Sequence, residues 1–424
     1  MSPDSRTDTQ PTRPALRFRR KAIALVVPSL ADAGGVPAVA RFVKDTILRD
    51  GRFDLRLVSL ATSASDPQSS CIASPRSWLS GAGTSAGVWE GLSFTHVGAI
   101  AGDFEFQRYR RRRVLTDALA DCDLIQVICG SPACANAVVG LGKPVALQVA
   151  TRARVERRQR DANPRDLSGW WRKAMTEITD QMDDSALRRV DAIQVENPWM
   201  FEYARTLNVG RDVDLRDAPP GVDARLFRPL EHRAPAQNPY ILCVARLSDP
   251  RKKIGLLLEA YAQLPEALRN EVRLVFAGSS GPSDAFWQRV EALGLRERVS
   301  YVARPERDAL VRLYQHASVF ALPSAEEGFG MVVIEAMACA VPVVSTRSGG
   351  PAGIITDGVD GYLVSLDDAA ALSSRMARLL QDPALNIGMG RRARQTVDRR
   401  YDERIAGEVF IDMWDRLVHK GLVS

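Results

Sequence analysis

The sequence predicts an α/β protein made of two doubly wound parallel sheets. Three observations carry that expectation. The chain has 424 residues, too many for one ordinary core and comfortable for two. Short apolar runs alternate with helical stretches in both halves, the pattern of parallel strands joined by crossover helices. Midway, Ala218-Pro219-Pro220-Gly221-Val222-Asp223-Ala224-Arg225-Leu226-Phe227-Arg228-Pro229 is dense in Pro and Gly and reads as a linker.

Residues 1–16, rich in Pro, Ser, Thr, Asp and Arg, read as a disordered tail. The basic Arg17–Lys21 and the apolar Ala22–Val27 imitate the start of a signal peptide, but the apolar run is short. It reads better as a strand leaving into Gly34-Gly35, with a helix over Pro37–Leu48 and a second strand over Asp54–Ala61. Residues 62–92 are rich in Ser, Gly and Ala, lack a clear period and read as loop. Arg108–Leu119 reads as a basic helix, Cys122–Cys129 as a strand, Ser131–Leu141 as a small-residue helix and Pro144–Val149 as a strand. A helix over Trp170–Leu187 and a strand over Ala192–Glu196 close the first half.

In the second half Tyr240–Ala245 is the opening strand. Leu256–Gln263, Ala285–Leu293 and Arg307–His316 read as helices, and Val272–Ala277 and Val299–Val302 as strands. After Leu363 the pattern turns helical, with Ala369–Leu380 and a last helix over Glu403–Leu417. On that helix Ile405, Val409, Phe410, Met413 and Leu417 form the apolar face.

Composition is that of a globular protein, 25% charged and 46% apolar. Six scattered cysteines without a Cys-x-x-Cys pair read as reduced core thiols in a cytoplasmic protein. Only four histidines occur, none near another or near a cysteine in the chain, so a histidine- or thiolate-bound metal is not expected. No run approaches the length of a membrane span.

One stretch organises the rest. The apolar run Ser318–Leu322 reads as a buried strand, and Pro323-Ser324-Ala325-Glu326-Glu327-Gly328-Phe329-Gly330 follows as a turn whose two glycines allow close backbone approach to a ligand. From Met331 the residues suit a helix, whose first free N–H groups point back at the loop and favour an anion there. Glu327 lies on the turn, where a carboxylate can accept hydrogen bonds from sugar hydroxyls. Glu335 lies about two turns along the helix and can reach a second polyol such as a ribose.

The two glutamates with seven residues between them, set in Pro-Ser…Glu-Gly-Phe-Gly…Glu-Ala-Met-Ala, resemble the donor loop of GT-B glycosyltransferases, most closely the retaining family 4, also called group 1. The continuation is similar too: Cys339–Thr346, then Gly349-Gly350-Pro351, then Asp357-Gly358-Val359-Asp360-Gly361-Tyr362-Leu363-Val364. The linker resembles the family's Pro-x-Gly-Val-Asp…Phe-x-Pro segment.

This resemblance implies a GT-B fold, two Rossmann-like domains facing a central cleft. Residues 17–217 would form the acceptor domain and 218–402 the donor domain, with the helix at 403–424 crossing back onto the first. The implied reaction moves a sugar from a nucleotide-diphosphate donor with retention, the phosphate helping to take the acceptor's proton. Arg246 and Lys252 match the family's phosphate-binding cations, with Lys253 the alternative if the loop shifts by one. Glu327 would hold the sugar and Glu335 the ribose. Gly328, Phe329, Gly330, Met331 and Val332 would contact sugar and phosphate, and Gly34 and Gly35 would approach the phosphates from across the cleft. No cofactor and no metal are implied; the Asp-x-Asp triplets at 121–123 and 212–214 read as surface charge.

The sequence departs from the family in one place. Many relatives carry a histidine after a strand of the first domain, and the matching segments Asp123–Ile128 and Leu147–Thr151 hold none. Gln148 and Thr151 are the nearest polar substitutes. The basic runs Arg108–Arg113 and Arg152–Arg165 read either as a solvated face or as attraction to an anionic membrane or a phosphate-bearing, lipid-linked glycan acceptor. Phe104, Phe106, Tyr109, Trp170 and Trp171 lie near them and would enter an interface or stack on sugar. Nucleic acid is not an expected partner, since no recognition motif accompanies the charge. A catalytically silent nucleotide-sugar-binding protein is the rival outside enzymes. Within enzymes a hydrolase using Glu327 and Glu335 leaves the cations without purpose, while a phosphorylase or synthase on the same fold remains open. The expected place is the cytoplasm, extending to the inner face of the membrane.

Overall fold

In the computed structural model the described residues are 19–420, except 31–33, 64, 73, 75–76, 79–80 and 232–237. The expected tail at 1–16 lies outside them. Two sheets organise the chain. The first runs β3-β4-β2-β1-β5-β6-β7-β8, formed by β1 (Lys21–Pro28), β2 (Phe53–Leu60), β3 (Thr84–Trp89), β4 (Leu92–Val97), β5 (Leu124–Cys129), β6 (Val145–Val149), β7 (Ala192–Val195) and β8 (Asp214–Asp217). The second runs β11-β10-β9-β12-β13-β14, formed by β9 (Tyr240–Val244), β10 (Arg273–Gly278), β11 (Val299–Ala303), β12 (Val319–Leu322), β13 (Val343–Thr346) and β14 (Tyr362–Val364). Every pairing is parallel except β3 against β4. The central strands are buried on both faces, as parallel strands covered by helices must be.

Several local expectations are corrected. Residues 62–92 are not all loop: β3 and β4 form a hairpin whose turn is Glu90 at φ 50° and Gly91 at φ 79°. Two positive φ values in a two-residue turn match the strand twist. The first four β3 residues, Thr-Ser-Ala-Gly, are small and the strand forms an edge, so it shows little apolar period. The basic helix over Arg108–Leu119 is two short helices, Glu105–Arg108 and Arg113–Ala118. Between them Arg112 turns inward, only 5% exposed, and donates to the Arg108 and Arg110 carbonyls that the break leaves free. Ser131–Leu141 holds only a 3₁₀ turn over Pro132–Ala137. Two helices that the sequence reading passed over, Pro198–Leu207 and Pro383–Thr396, each begin with proline behind a capping Asn197 or Asp382. Two of the triplet aspartates have structural roles: Asp123 accepts from the Ala22 amide and from Lys21, and Asp214 pairs with Arg216 on β8.

The chain crosses between the sheets twice, and the two crossings touch. The Val222 amide donates to the Tyr401 carbonyl at 2.8 Å, and the Glu403 amide to the Val222 carbonyl at 3.0 Å. A Cβ on Gly221 would lie 2.5 Å from the Glu403 Cα, so only glycine lets these backbones meet. Past that point the last helix, Glu403–Lys420, packs on the first sheet through Ala406, Phe410, Met413, Trp414 and Leu417. Ile405 does not join this face; it is 43% exposed, and Ala406 and Trp414 take the inward positions. Trp414 Nε1 donates to Gln126 Oε1 at 2.7 Å, a polar tie inside an otherwise apolar contact.

Candidate active site

The site is assembled at the C-terminal ends of the strands of both sheets, where loops face each other across the cleft, the usual place for ligands in open α/β sheets. From the second sheet, β9 leads into Arg246–Lys253 and β12 into Pro323–Gly330. Gly330 at φ 102°, ψ 58° caps a helix over Met331–Ala338, and its left-handed backbone suits glycine. Gly350 is needed for packing: a Cβ there would sit 2.0 Å from the Phe329 carbonyl oxygen, while its amide donates to the Glu327 carbonyl at 2.7 Å. Phe329 is buried in the core against Tyr401, so its backbone rather than its ring faces the cleft.

The charged side chains meet as follows. Lys252 Nζ donates to Glu327 Oε2 at 2.6 Å, and Ser324 Oγ donates to the same oxygen at 3.3 Å. Lys253 turns away to Asp367 at 3.2 Å, so of the two alternatives Lys252 is the one beside Glu327. Arg246 is half exposed, and its Nη2 donates to Asp249 Oδ2 at 3.3 Å. Glu335 stands one turn into its helix, not two, since the helix begins at Met331. Tyr314 Oη donates to its Oε2 at 2.7 Å. Burial pushes the Glu335 carboxyl up to about 7, against that hydrogen bond, which favours the charged form.

From the first sheet, Gly34 caps the helix over Gly35–Asp50 with φ 156°, ψ −171°, a conformation other residues avoid. A Cβ on Gly34 or Gly35 would meet no atom within 4 Å among the described residues, so this loop borders open space. Met331 packs against the cores of both halves, which places the start of the Met331–Ala338 helix at the junction of the two halves. Val332 is half-buried beside it.

Sequence reasoning missed the residues that tie the loops across the cleft. Asn197 Nδ2 donates to the Ala150 carbonyl and to the Gly328 carbonyl, each at 2.7 Å. Arg251 Nη1 donates to Glu156 of the first half at 2.8 Å and to Glu326 of the second at 3.1 Å. Thr151 Oγ1 donates to Glu326 Oε1 at 3.3 Å. Burial lowers the Arg251 guanidinium, but Asp249, Glu156 and Glu326 outweigh it and hold it above its ordinary value. Two of these tying residues adjoin a predicted site residue (Arg251 beside Lys252, Glu326 beside Glu327), and that adjacency was the available signal; Asn197 and Glu156 carried none. Of the two substitutes for the absent histidine, Thr151 lies at the cleft. Gln148 does not: it is fully buried and its Nε2 donates to the Ala218 carbonyl at 3.2 Å.

Comparison with known proteins bears on the family and the fold. Residues 228–396 match the family described as glycosyl transferases group 1. A D-inositol 3-phosphate glycosyltransferase of Mycolicibacterium paratuberculosis is 36% identical over 179 residues, 39% of this chain and 39% of that protein. Its counterpart in Xylanimonas cellulosilytica is 35% identical over 216 residues, 47% of this chain and 49% of that one. The chain therefore spans under half the length of the curated relatives it matches. Among solved structures, sucrose-phosphate synthase of Thermosynechococcus elongatus aligns with TM-score 0.68 over 95% of this chain and 100% of that one, at 22% identity. Anabaena HepE in complex with UDP-glucose aligns with TM-score 0.65 over 93% and 99%, at 16% identity. At such identities the likeness is one of fold. The chain has the GT-B fold, and its residues 228–396 are similar to the glycosyl transferases group 1 family.

Proposed function

We propose that the protein is a retaining glycosyltransferase that moves a sugar from a nucleotide-diphosphate donor to a hydroxyl acceptor. The observation that carries this reading is the Lys252–Glu327 contact of 2.6 Å at the foot of a helix N-terminus, with Glu335 one turn above. Lys252 and Glu327 satisfy each other's charge. A donor diphosphate would take Lys252 and draw in the half-exposed Arg246, while its sugar hydroxyls donate to the Glu327 carboxylate. The amides at Gly330, Met331 and Val332 and the helix dipole add to the stabilisation of the departing diphosphate. Glu335 accepts from the ribose hydroxyls. The Gly34-Gly35 loop lets phosphate approach from the other side.

On this reading the diphosphate's charge is met by side chains and amides, without a cofactor or a metal ion. The acceptor enters from the first half, past Thr151 and the basic residues beyond it. The curated relatives are named for a phosphorylated inositol, and that basic rim suits an acceptor that carries phosphate or is linked to a lipid. Such acceptors place the enzyme in the cytoplasm at the inner face of the membrane. Among the described residues no helix is long and apolar enough to cross a membrane.

The test is incubation with UDP-, GDP-, ADP- and CMP-sugars, with and without a glycan or glycolipid pool, and chromatography of the released nucleotide. The expected result is release from one nucleotide class, unaffected by a chelator, and cut by roughly a hundredfold or more in Lys252→Ala, which loses a charge-stabilising group. Proton NMR of the product would show the donor's anomeric configuration kept. Binding of donor without any turnover would instead favour the catalytically silent protein.

A further inference from the structure

The helix Leu167–Leu187 buries one face on the first half through Met175, Thr176, Thr179, Asp180, Asp183, Ala186 and Leu187. Its opposite face is apolar as well. Leu167, Trp170, Trp171, Ala174 and Ile178 follow one another at helical spacing, so they form a single stripe. Leu167 is 89% exposed, Trp170 59%, Trp171 53% and Ile178 36%. Phe104 extends the stripe, its ring 6.0 Å from that of Trp171 and 5.5 Å from that of Phe106. An outward apolar stripe of this kind costs solubility and marks a contact surface.

Cations surround it. Lys173 Nζ lies 5.7 Å over the Trp170 ring, and the Arg110 guanidinium 5.8 Å over Phe106. Arg172 bonds the Ser168 hydroxyl, and Arg158 and Arg165 are exposed. Among the described residues none of these five forms a salt bridge, although Arg172, after the Gly169 amide, stands near enough to Asp166 to favour its charged form. The acids close by are already engaged: Asp166 caps the helix, Asp161 is held by Arg160 and Thr176, Glu177 by Arg154, and Glu105 by Arg157. Aromatic rings in the middle and cations at the border are complementary to a surface that is apolar inside and anionic at its boundary.

We propose that this stripe seats the protein on an anionic lipid bilayer, with Trp170, Trp171 and Leu167 entering the headgroup region and Arg165, Arg172 and Lys173 meeting lipid phosphates. The proposal deepens the functional reading above, because it gives the acceptor a lipid-borne route into the cleft. The segment that precedes the helix carries Thr151 and Glu156, which touch the second half at the cleft. A lipid-linked hydroxyl held at the stripe would therefore stand next to the acceptor side of the site.

The experiment is co-sedimentation of the full chain with vesicles of phosphatidylcholine alone and of phosphatidylcholine mixed with phosphatidylglycerol, with nucleotide-induced thermal stabilisation measured on the same samples. Binding is expected only to the anionic vesicles, and to weaken as salt rises. The pair Trp170→Ser and Trp171→Ser should lower partitioning roughly tenfold or more, and so should Arg172→Gln with Lys173→Gln, at about 1 kcal/mol per cation removed. Nucleotide stabilisation should stay unchanged in both, which shows that the variants fold and keeps this test separate from the donor site. Equal binding to both vesicle types, or none to either, would overturn the proposal whether or not nucleotide binds. A concentration-dependent dimer abolished by the tryptophan pair, without vesicle binding, would overturn it in favour of a second copy of the chain. Vesicle binding without nucleotide stabilisation would support the surface and sink the functional reading instead.

Discussion

Glu335 shows how one carboxylate can link protonation, stability and binding. Its folded value of about 7 lies above the ordinary 4.5 because burial disfavours the charge. A raised carboxyl stabilises the ligand-free fold fully below its unfolded value, and that contribution is lost as pH rises through about 7. A ribose, whose hydroxyls donate, prefers the ionised form. Stabilisation by the matching nucleotide should therefore grow as pH rises from below to above about 7, and Glu335→Gln should flatten that profile. A parent profile that is already flat would remove Glu335 from the ribose site. At this scale the sequence was informative where a motif fixes both residue type and spacing, as for Lys252, Glu327 and Glu335. It was silent on Asn197 and Glu156 and on the cross-cleft partner of Thr151, because those contacts span long stretches of chain, 131 residues for Asn197 and Gly328 and 175 for Thr151 and Glu326. Only the folded chain brings those together.

Elements were legible in proportion to their burial. Strands such as β1, β5 and β12 are mostly apolar and stand out, whereas β3 and β8 are half-exposed edges with small or charged residues and do not. The closing helix was placed by its period, yet its exposed Ile405 and buried Trp414 show that period alone does not fix which apolar residues face inward. Three buried strand glutamines, Gln126, Gln148 and Gln194, also broke the apolar pattern. Gln126 joins Gln194 at 2.9 Å and Trp414 at 2.7 Å, a polar thread under the closing helix that no local pattern announces. Glycines can be sorted by what surrounds them. Gly350→Ala would push a methyl into the Phe329 carbonyl, so it should cost about 1–3 kcal/mol and displace the Glu327 loop. Gly388, inside the helix Pro383–Thr396 with only the tip of Arg392 at 3.5 Å, is the contrast. Gly388→Ala should stabilise by about 0.5–1 kcal/mol. Urea unfolding of the two variants checks both signs, and equal effects would mean that the backbone approach at Gly350 does not constrain the loop.

The whole molecule is two sheets joined by paired crossings and tied at the cleft mouth. The crossings at Val222 and Glu403 bond each other, so both passages of the chain between the halves lie side by side. At the far side Arg251 links Glu156 and Glu326, and Asn197 links Ala150 and Gly328. Because these ties adjoin Lys252 and Glu327, a donor that separates the Lys252–Glu327 pair also acts on the contact between the halves. The gross architecture was readable from length, alternation and the linker, whereas the way the halves meet was not. Everything in this account rests on the second half holding a nucleotide, and thermal unfolding with UDP, GDP, ADP and CMP tests that most directly. A ligand that binds the native state raises its apparent stability, by about 2.7 kcal/mol at a hundredfold excess over Kd. The account predicts that one of the four raises the melting temperature of the parent and that Lys252→Ala and Glu335→Ala each abolish the rise. No rise with any of them, or a rise that both variants keep, would contradict it.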